Sequence, residues 1–240
     1  MSGKPIRTAL VTGNSSGLGL GLTRMLMRQG AAVYGLSRRG CPEETAGDVR
    51  VDLARYEDIA PAIAQLLDGV ERLDLVVLNA GLLGQIQSMQ EADIAELRQL
   101  MDVNVWANKP ILDHLLAHGI EVGQIIAISS GASVSGNFGW SGYSISKAAL
   151  NMFVQLYAHE FPDTHMHALA PGLVDTAMQE FISDAVDLER FPALKRLQEA
   201  RGTGAMPDNE AAAQQILESL ERLRDAPGGR FVDLRDLPNP

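Results

Sequence analysis

Cysteine is almost absent from this chain of 240 residues. The single one, Cys41, excludes an intramolecular disulfide and any metal site built from several thiolates. It precedes Pro42 in a stretch that reads as a loop, and no role falls to it. Basic charge is scarce as well: 30 acids against 20 bases give a formal charge of -10, with no basic block. Nucleic acid and anionic membranes are therefore excluded as expected partners. Nowhere does an apolar run approach the roughly eighteen residues that a membrane-spanning helix needs. The opening MSGKPIRTALVTG has no apolar core of a secretory signal, since its first apolar run passes straight into a glycine turn. The expectation is a soluble, cytoplasmic protein with no metal site.

What is present is an alternation. The chain is 46% hydrophobic, enough for one large α/β domain over residues 1–240. Short apolar runs at 8–13, 31–37, 73–81, 124–130, 166–172 and 229–234 read as strands, each of the first four ending in Gly, Ser or Asn. A shorter strand is expected in R-V-D-L, 50–53. Helical patterns occupy 18–29, 56–68, 91–118, 143–160 and 208–224. Such alternation predicts a doubly wound parallel sheet, a Rossmann fold, with helices on both faces. Residues 175–209 break the rhythm, with Pro192, Gly202, Gly204 and Pro207 interrupting a mixed segment. A long excursion of this kind reads as a lid or binding segment over a substrate.

Two local patterns carry chemistry. The first strand runs into T-G-N-S-S-G-L-G, 12–19, and a helix follows. Gly13, Gly17 and Gly19 permit a tight turn and close approach of backbone to a phosphate, whose charge the N–H groups of the helix start favour. The second pattern is Tyr143 and Lys147, one helical turn apart in GWSGYSISKAAL, 139–150. By itself the pair could be surface packing, because residues at i and i+4 share a helix face. An ammonium beside a phenol also favours the phenolate, which suits proton transfer at neutral pH.

The two patterns have company. Asn79-Ala80-Gly81 follows the strand at 73–78, Asn104 sits in D-V-N-V, and Ser130 ends I-I-A-I-S-S thirteen residues before Tyr143. Pro171-Gly172-Leu173-Val174-Asp175-Thr176 closes the series. With these motifs in this order, the chain resembles the short-chain dehydrogenases/reductases over nearly its whole length. The resemblance implies that Tyr143 is the general acid in carbonyl reduction, and that Lys147 lowers the tyrosine pKa and bonds the nicotinamide ribose. It implies that Ser130 holds the carbonyl oxygen and that Asn104 orders a water leading from Lys147 to solvent. For Ser130 the alternative is a strand-end turn, a part that Ser129 could also play. For Asn104 it is a helix cap or kink, in a helix that Pro110 already disturbs by freeing the carbonyl of Trp106. A binding protein that kept only the fold is a second class of function; loss of the tyrosine or lysine is its usual mark, and both are present here.

The implied cofactor-binding set is Gly13, Asn14, Ser15, Ser16, Gly17, Leu18, Gly19, Asn79, Ala80, Gly81, Pro171, Gly172, Val174 and Thr176, with Tyr143 and Lys147. Asp52, with Leu53 beside it, resembles the acid that contacts the adenine amino group. The second strand ends in Ser37-Arg38-Arg39, and no acid follows until Glu43. An acid there would select NAD, whereas arginine accepts a 2′-phosphate. NADP(H) is the expected cofactor, with Ser37 and Arg38 as ligands and Arg39 a further candidate. NADP-preferring relatives often carry a base where this glycine loop has Ser16.

The runs F-G-W-S-G-Y, A-P-G-L-V-D-T-A-M-Q and V-D-L-R-D are similar to those of sepiapterin reductases and benzil-reductase-like enzymes. Asp233 falls where the sepiapterin branch anchors the pterin; alternatively it is an edge-strand acid satisfied by Arg230 or Arg235. Trp140, Leu82, Leu83, Met178 and Phe181 are candidates for an apolar wall around a small carbonyl substrate. The helix from Tyr143 is apolar almost all round, with Ile145, Ala148, Met152, Phe153 and Leu156 among its residues. One stripe suffices to pack a helix on a sheet, so a second covered side is expected. A homodimer or homotetramer would cover it; folding of 175–209 back over the helix would leave a monomer.

Overall fold

Seven short apolar runs form one sheet in a computed structural model that describes residues 4–175 and 189–237. The strands are β1 (Thr8–Thr12), β2 (Ala32–Ser37), β3 (Gly47–Arg50), β5 (Leu75–Leu78), β7 (Gln124–Ile128), β8 (His165–Ala170) and β9 (Arg230–Asp233). Their order is β3-β2-β1-β5-β7-β8-β9. Every pairing between neighbours is parallel. The runs lack polar alternation because both faces are covered. In β1, Ala9 and Val11 enter one core while Leu10 enters the other; in β5, Leu75 and Val77 part from Val76 and Leu78 in the same way.

Helices α1 (Gly17–Arg28) and α8 (Asn209–Arg224) cover one face with Leu22, Leu26, Ile216 and Leu223. Helices α2 (Tyr56–Leu66), α4 (Asn108–Ala117) and α6 (Ser141–Tyr157) cover the other with Ile59, Ile63, Ile111, Leu112, Leu150 and Val154. Full burial of each such side chain contributes about 1.5–3 kcal/mol. Gly21 lets α1 and α8 meet: a Cβ there would lie 2.3 Å from the Asn209 carbonyl oxygen.

The predicted doubly wound sheet is thus present, with three differences in detail. The pattern at 91–118 is not one helix. It divides into α3 (Ile94–Met101), a π-helical turn (Asp102–Trp106) and α4. Pro110 has no N–H for Trp106, and the Asn108 side chain instead donates to the carbonyls of Asn104 (3.2 Å) and Val105 (3.1 Å). The short strand expected at 50–53 forms earlier, at Gly47–Arg50, where it pairs with β2. A minor two-stranded pairing, β4 (Arg72–Leu73) with β6 (Glu121–Val122), has no apolar pattern to announce it. The excursion contains helix α7 (Pro192–Ala200), which starts, as helices often do, on a proline; a one-turn helix, α5 (Ala132–Ser135), follows β7. Among the described residues, no helix is long and apolar enough to cross a membrane.

Candidate active site

The chain reverses its winding between β1 and β5, and the loops leaving their carboxyl ends part there. A cleft of about 770 Å³ opens at that point. At one end it is lined by the glycine loop, Ser37, Arg38 and Asp52, and at the other by Ser130, Trp140, Tyr143, Lys147 and Gly172.

The glycine loop is shaped by contacts that side chains would prevent. Gly13 and Gly17 take positive φ of 70° and 54°. A Cβ on Gly19 would lie 2.3 Å from the Gly13 carbonyl oxygen, so only glycine lets α1 begin this close to the turn. Thr12 and Asn79 tie the loop to the end of β5. The Thr12 hydroxyl accepts from the N–H groups of Asn79 (2.9 Å) and Ala80 (3.0 Å), and the Asn79 side chain donates to the Thr12 carbonyl (2.9 Å). Asn14, named in the expected cofactor-binding set, has its side chain outside the cleft. Its side chain is fully buried and turned from the cleft, donating to Asp48 at 2.8 Å. It fills the space over Gly35, where a Cβ would come within 1.8 Å of its amide nitrogen.

At the rim by β2, Ser37 is buried and accepts from the Gly40 N–H at 3.1 Å, while Arg38 stands exposed. Arg39 donates to the Ser16 hydroxyl at 2.7 Å. Its guanidinium thereby reaches the loop position where relatives often place a base. Nothing in the sequence signals that reach, because it depends on how the two loops approach.

At the opposite end, the Ser130 hydroxyl lies beside the Tyr143 phenol and accepts from the Ala132 N–H at 3.1 Å. Ser129 faces elsewhere: its hydroxyl donates to Asn151 at 2.6 Å. Asn151 donates to Ser133, which donates to the Ser130 carbonyl (2.6 Å), so a polar chain fixes the Ser130 turn. Asn151 went unnoticed in the sequence, although it lies one turn beyond Lys147 on the same face of α6.

Lys147 is 4% exposed, and its Nζ donates to the Ile128 carbonyl at 2.7 Å. Burial brings its pKa down to about 8. The Tyr143 phenol moves the other way. Burial raises it above its ordinary value, only partly offset by the Ser130 hydroxyl. Lys147 Nζ lies 5.7 Å from the Tyr143 ring centre, and burial, not the ammonium, sets the direction of the shift. The phenol is held as a proton donor.

Asn104 lies in the π-helical turn, fully buried. Its side chain accepts from the Leu82 N–H (2.7 Å) and donates to the Leu82 carbonyl and the Ser146 hydroxyl (both 2.9 Å). Those bonds clamp the loop after β5. Gly81 is the point of contact: a Cβ there would lie 3.3 Å from Asn104 Oδ1 and 3.4 Å from Lys147 Nζ.

The outer wall is apolar. Leu83, Trp140, Tyr143, Phe191, Leu194 and Leu197 form one cluster, which brings α7 over the tyrosine; Leu82 lines the cleft beside it. Phe191 and Leu197 were missed in the sequence, where their excursion has no sheet to give it register. Pro171, Gly172 and Val174 line the cleft, whereas Thr176, Met178 and Phe181 lie outside the described residues. Asp233 is 8% exposed and does not line the cleft; both its oxygens are taken by Arg235, whose Nε and Nη2 donate at 2.8 and 2.6 Å. The Arg235 pairing is the edge-acid alternative, and the side chain that faces the cleft is the arginine.

A crevice at a winding reversal, floored by a glycine turn, is where a doubly wound sheet holds a dinucleotide. Residues 7–187 match the family model described as short chain dehydrogenase. A Saccharomyces cerevisiae protein named benzil reductase ((S)-benzoin forming) is 32% identical, over 96% of this chain and 96% of its own. The Bacillus subtilis protein of that name is 28% identical over 95% and 98%. Among solved structures, the KRED1-Pglu enzyme superposes with a TM-score of 0.82 at 29% identity, covering 94% of this chain and 100% of its own. The chain belongs to the short-chain dehydrogenase family, in its benzil-reductase-like branch.

Proposed function

We propose that this protein is an NADPH-dependent carbonyl reductase acting on a ketone or diketone, with Tyr143 as general acid. The observation that carries this reading is that the Ser130 and Tyr143 hydroxyls lie side by side in one cleft that has the glycine turn at its far end. A substrate carbonyl oxygen accepts from both hydroxyls at once. The hydride for the carbonyl carbon would come from a dihydronicotinamide held along the glycine turn, which would be oxidised in exchange. Tyr143 gives its proton to the oxygen as negative charge develops there, and Ser130 stabilises that charge from a fixed direction. Lys147, below the tyrosine, supplies a buried positive charge that stabilises the phenolate left behind. Asn104 acts through the Leu82 clamp and offers its own carbonyl to a water. The fit for the cofactor rests on the open cleft, which Gly13, Gly19 and Gly81 line with backbone that carries no side chain. The Leu83–Trp140–Phe191 wall excludes water from the reacting carbon. The whole chain acts as one domain, with the described part of the excursion, residues 189–209, as its lid; the rest of the expected lid lies outside the described residues.

Arg38, Ser37 and Arg39 together favour the 2′-phosphate of NADPH. Arg38→Ala is expected to raise KM for NADPH about tenfold or more, since a charge-assisted contact is lost, and to leave KM for NADH within about twofold. Steady-state kinetics with both cofactors checks this, and equal effects on the two would remove Arg38 from the phosphate site.

We also propose a two-fold assembly through α6 and α4. Ile145 (49%), Met152 (55%), Leu156 (60%) and Trp106 (46%) remain exposed on one side. The described part of the excursion packs by Trp140 and Tyr143 instead. Such a stripe, continued by Leu116, suits a self-complementary interface. Sedimentation equilibrium at micromolar concentration is expected to give a multiple of 25.8 kDa; Met152→Glu with Leu156→Glu is expected to give monomers. A wild-type monomer contradicts the assembly.

A further inference from the structure

Among the described residues, the end of the cleft that surrounds the reacting carbon has one cation besides Lys147, and no proton-transfer step employs it. Arg235 follows β9 in a short 3-10 turn and lines the same cavity as Ser130, Tyr143 and Trp140. Its position is built. The Asp233 carboxylate, 9% exposed, takes Nε and Nη2 of Arg235 in a bidentate pair and also accepts from the Arg235 N–H at 3.0 Å. Two bonds to one buried acid orient the guanidinium, in the fork geometry that arginine supplies and lysine does not, and the backbone bond fixes the turn that carries it. That direction is toward the Ser130 turn: a Cβ on Gly131 would lie 3.5 Å from Arg235 Nη2. On the other side, the Arg235 stem borders Gly172, where a Cβ would lie 3.9 Å from its Cδ. No bond from Nη1 occurs among the described residues, and the side chain is 69% exposed to the cleft and solvent.

This arrangement bears on polarity. A free aspartate at 233 would offer an acceptor to a donor-rich substrate edge such as that of a pterin. Here both carboxylate oxygens are consumed, and the cleft receives N–H donors instead. The facing wall of Leu83, Trp140 and Leu197 is apolar and aromatic.

We propose that Arg235 is a substrate-reading residue, and that the substrate class is a carbonyl compound with a hydrogen-bond acceptor, a second carbonyl oxygen, on the carbon next to the reacting one. The Ser130 and Tyr143 hydroxyls take the reacting oxygen, Arg235 takes its neighbour, and an aryl or alkyl group lies on the apolar wall. Asp233 is a positioning residue that acts through Arg235. The proposal rests on the carbonyl-reductase reading and deepens it.

The test compares benzil with deoxybenzoin, which share a skeleton and differ in the second carbonyl oxygen, for wild type and Arg235→Met, each with NADPH. The diketone is the more electrophilic, so the informative quantity is the change in the ratio of kcat/KM values. Arg235→Met is expected to lower kcat/KM for benzil about 10- to 100-fold, the loss of a charge-assisted bond. Deoxybenzoin should change by less than about threefold, and the NADPH dissociation constant, read by fluorescence, should be unchanged. Asp233→Asn should give part of the same selective loss. An equal fall for both ketones with unaltered NADPH binding makes Arg235 a structural residue and overturns the proposal. A rise in the NADPH dissociation constant makes it a cofactor residue and overturns it too. Failure of the wild type to reduce either ketone is a different outcome: it strikes the carbonyl-reductase reading itself, and Arg235 with it.

Discussion

Tyr143→Phe is expected to slow carbonyl reduction by about 10²–10⁴-fold or more, with NADPH still bound. Only the hydroxyl is removed. The ring stays in its contact with Trp140, 5.8 Å between centres, and in the apolar cluster with Phe191 and Leu197, so the fold should survive. Ser130 alone then faces the carbonyl oxygen, and a serine hydroxyl cannot take over as the acid, because its alkoxide has no buried ammonium beside it. Burial keeps the Tyr143 phenol protonated well past neutrality. The wild-type rate should therefore show no loss of the acid on the tyrosine's account between about pH 6 and 8. Turnover by the phenylalanine variant within tenfold of wild type, measured as NADPH consumption, would mean that the proton comes from elsewhere.

Lys147→Met is expected to separate activity from stability. Catalysis should fall by about 10²-fold or more, since the positive charge behind the departing proton is gone. Stability of the cofactor-free protein should move the other way. Lys147 is buried without a carboxylate against it, and desolvation carries its pKa from 10.5 to about 8. Each unit corresponds to about 1.4 kcal/mol, so at pH 7 the buried ammonium costs about 1–3 kcal/mol once its bond to the Ile128 carbonyl is set against it. The sign follows from proton counts. Between about pH 8 and 10.5 the unfolded chain holds the lysine proton and the folded chain does not, so wild-type stability rises with pH across that window. The methionine variant lacks this rise. It should melt several degrees higher than wild type at pH 7, with the difference shrinking toward pH 10. A variant that is less stable at every pH would show that the Ile128 bond outweighs desolvation. Wild-type reduction should also decline as pH passes about 8, where Lys147 loses its charge.

The sheet was legible because its strands are buried on both faces, which leaves unbroken apolar runs such as Leu75–Leu78. The glycine turn and the Tyr143–Lys147 helix were legible because each obeys a local rule, a positive φ or a one-turn spacing. The selection of Ser130 over Ser129 also agrees with the geometry, since only Ser130 meets Tyr143. What the sequence hid depends on long-range approach. Asn14 sits within the glycine motif, yet the absence of a side chain on Gly35 draws it under the sheet toward Asp48. The division of 91–118 was half visible in Pro110; the compensating bonds of Asn108 were not. Arg39 was a candidate ligand and Arg235 a candidate partner of Asp233, but neither the reach of Arg39 to Ser16 nor the place of Arg235 on the cleft was visible in the sequence. A pairwise view of phenol and ammonium predicts a lowered Tyr143 pKa, and the burial that both share acts in the opposite direction.

The most direct test of the central claim is the stoichiometry of one reaction: purified protein, NADPH and benzil, with cofactor oxidation followed by absorbance and the organic product isolated. The account predicts one hydroxyketone formed per NADPH oxidised, with NADPH used in preference to NADH. Tight NADPH binding without oxidation by benzil or any other ketone or diketone would contradict it, and would leave a dinucleotide-binding protein that kept the tyrosine and lysine without their chemistry.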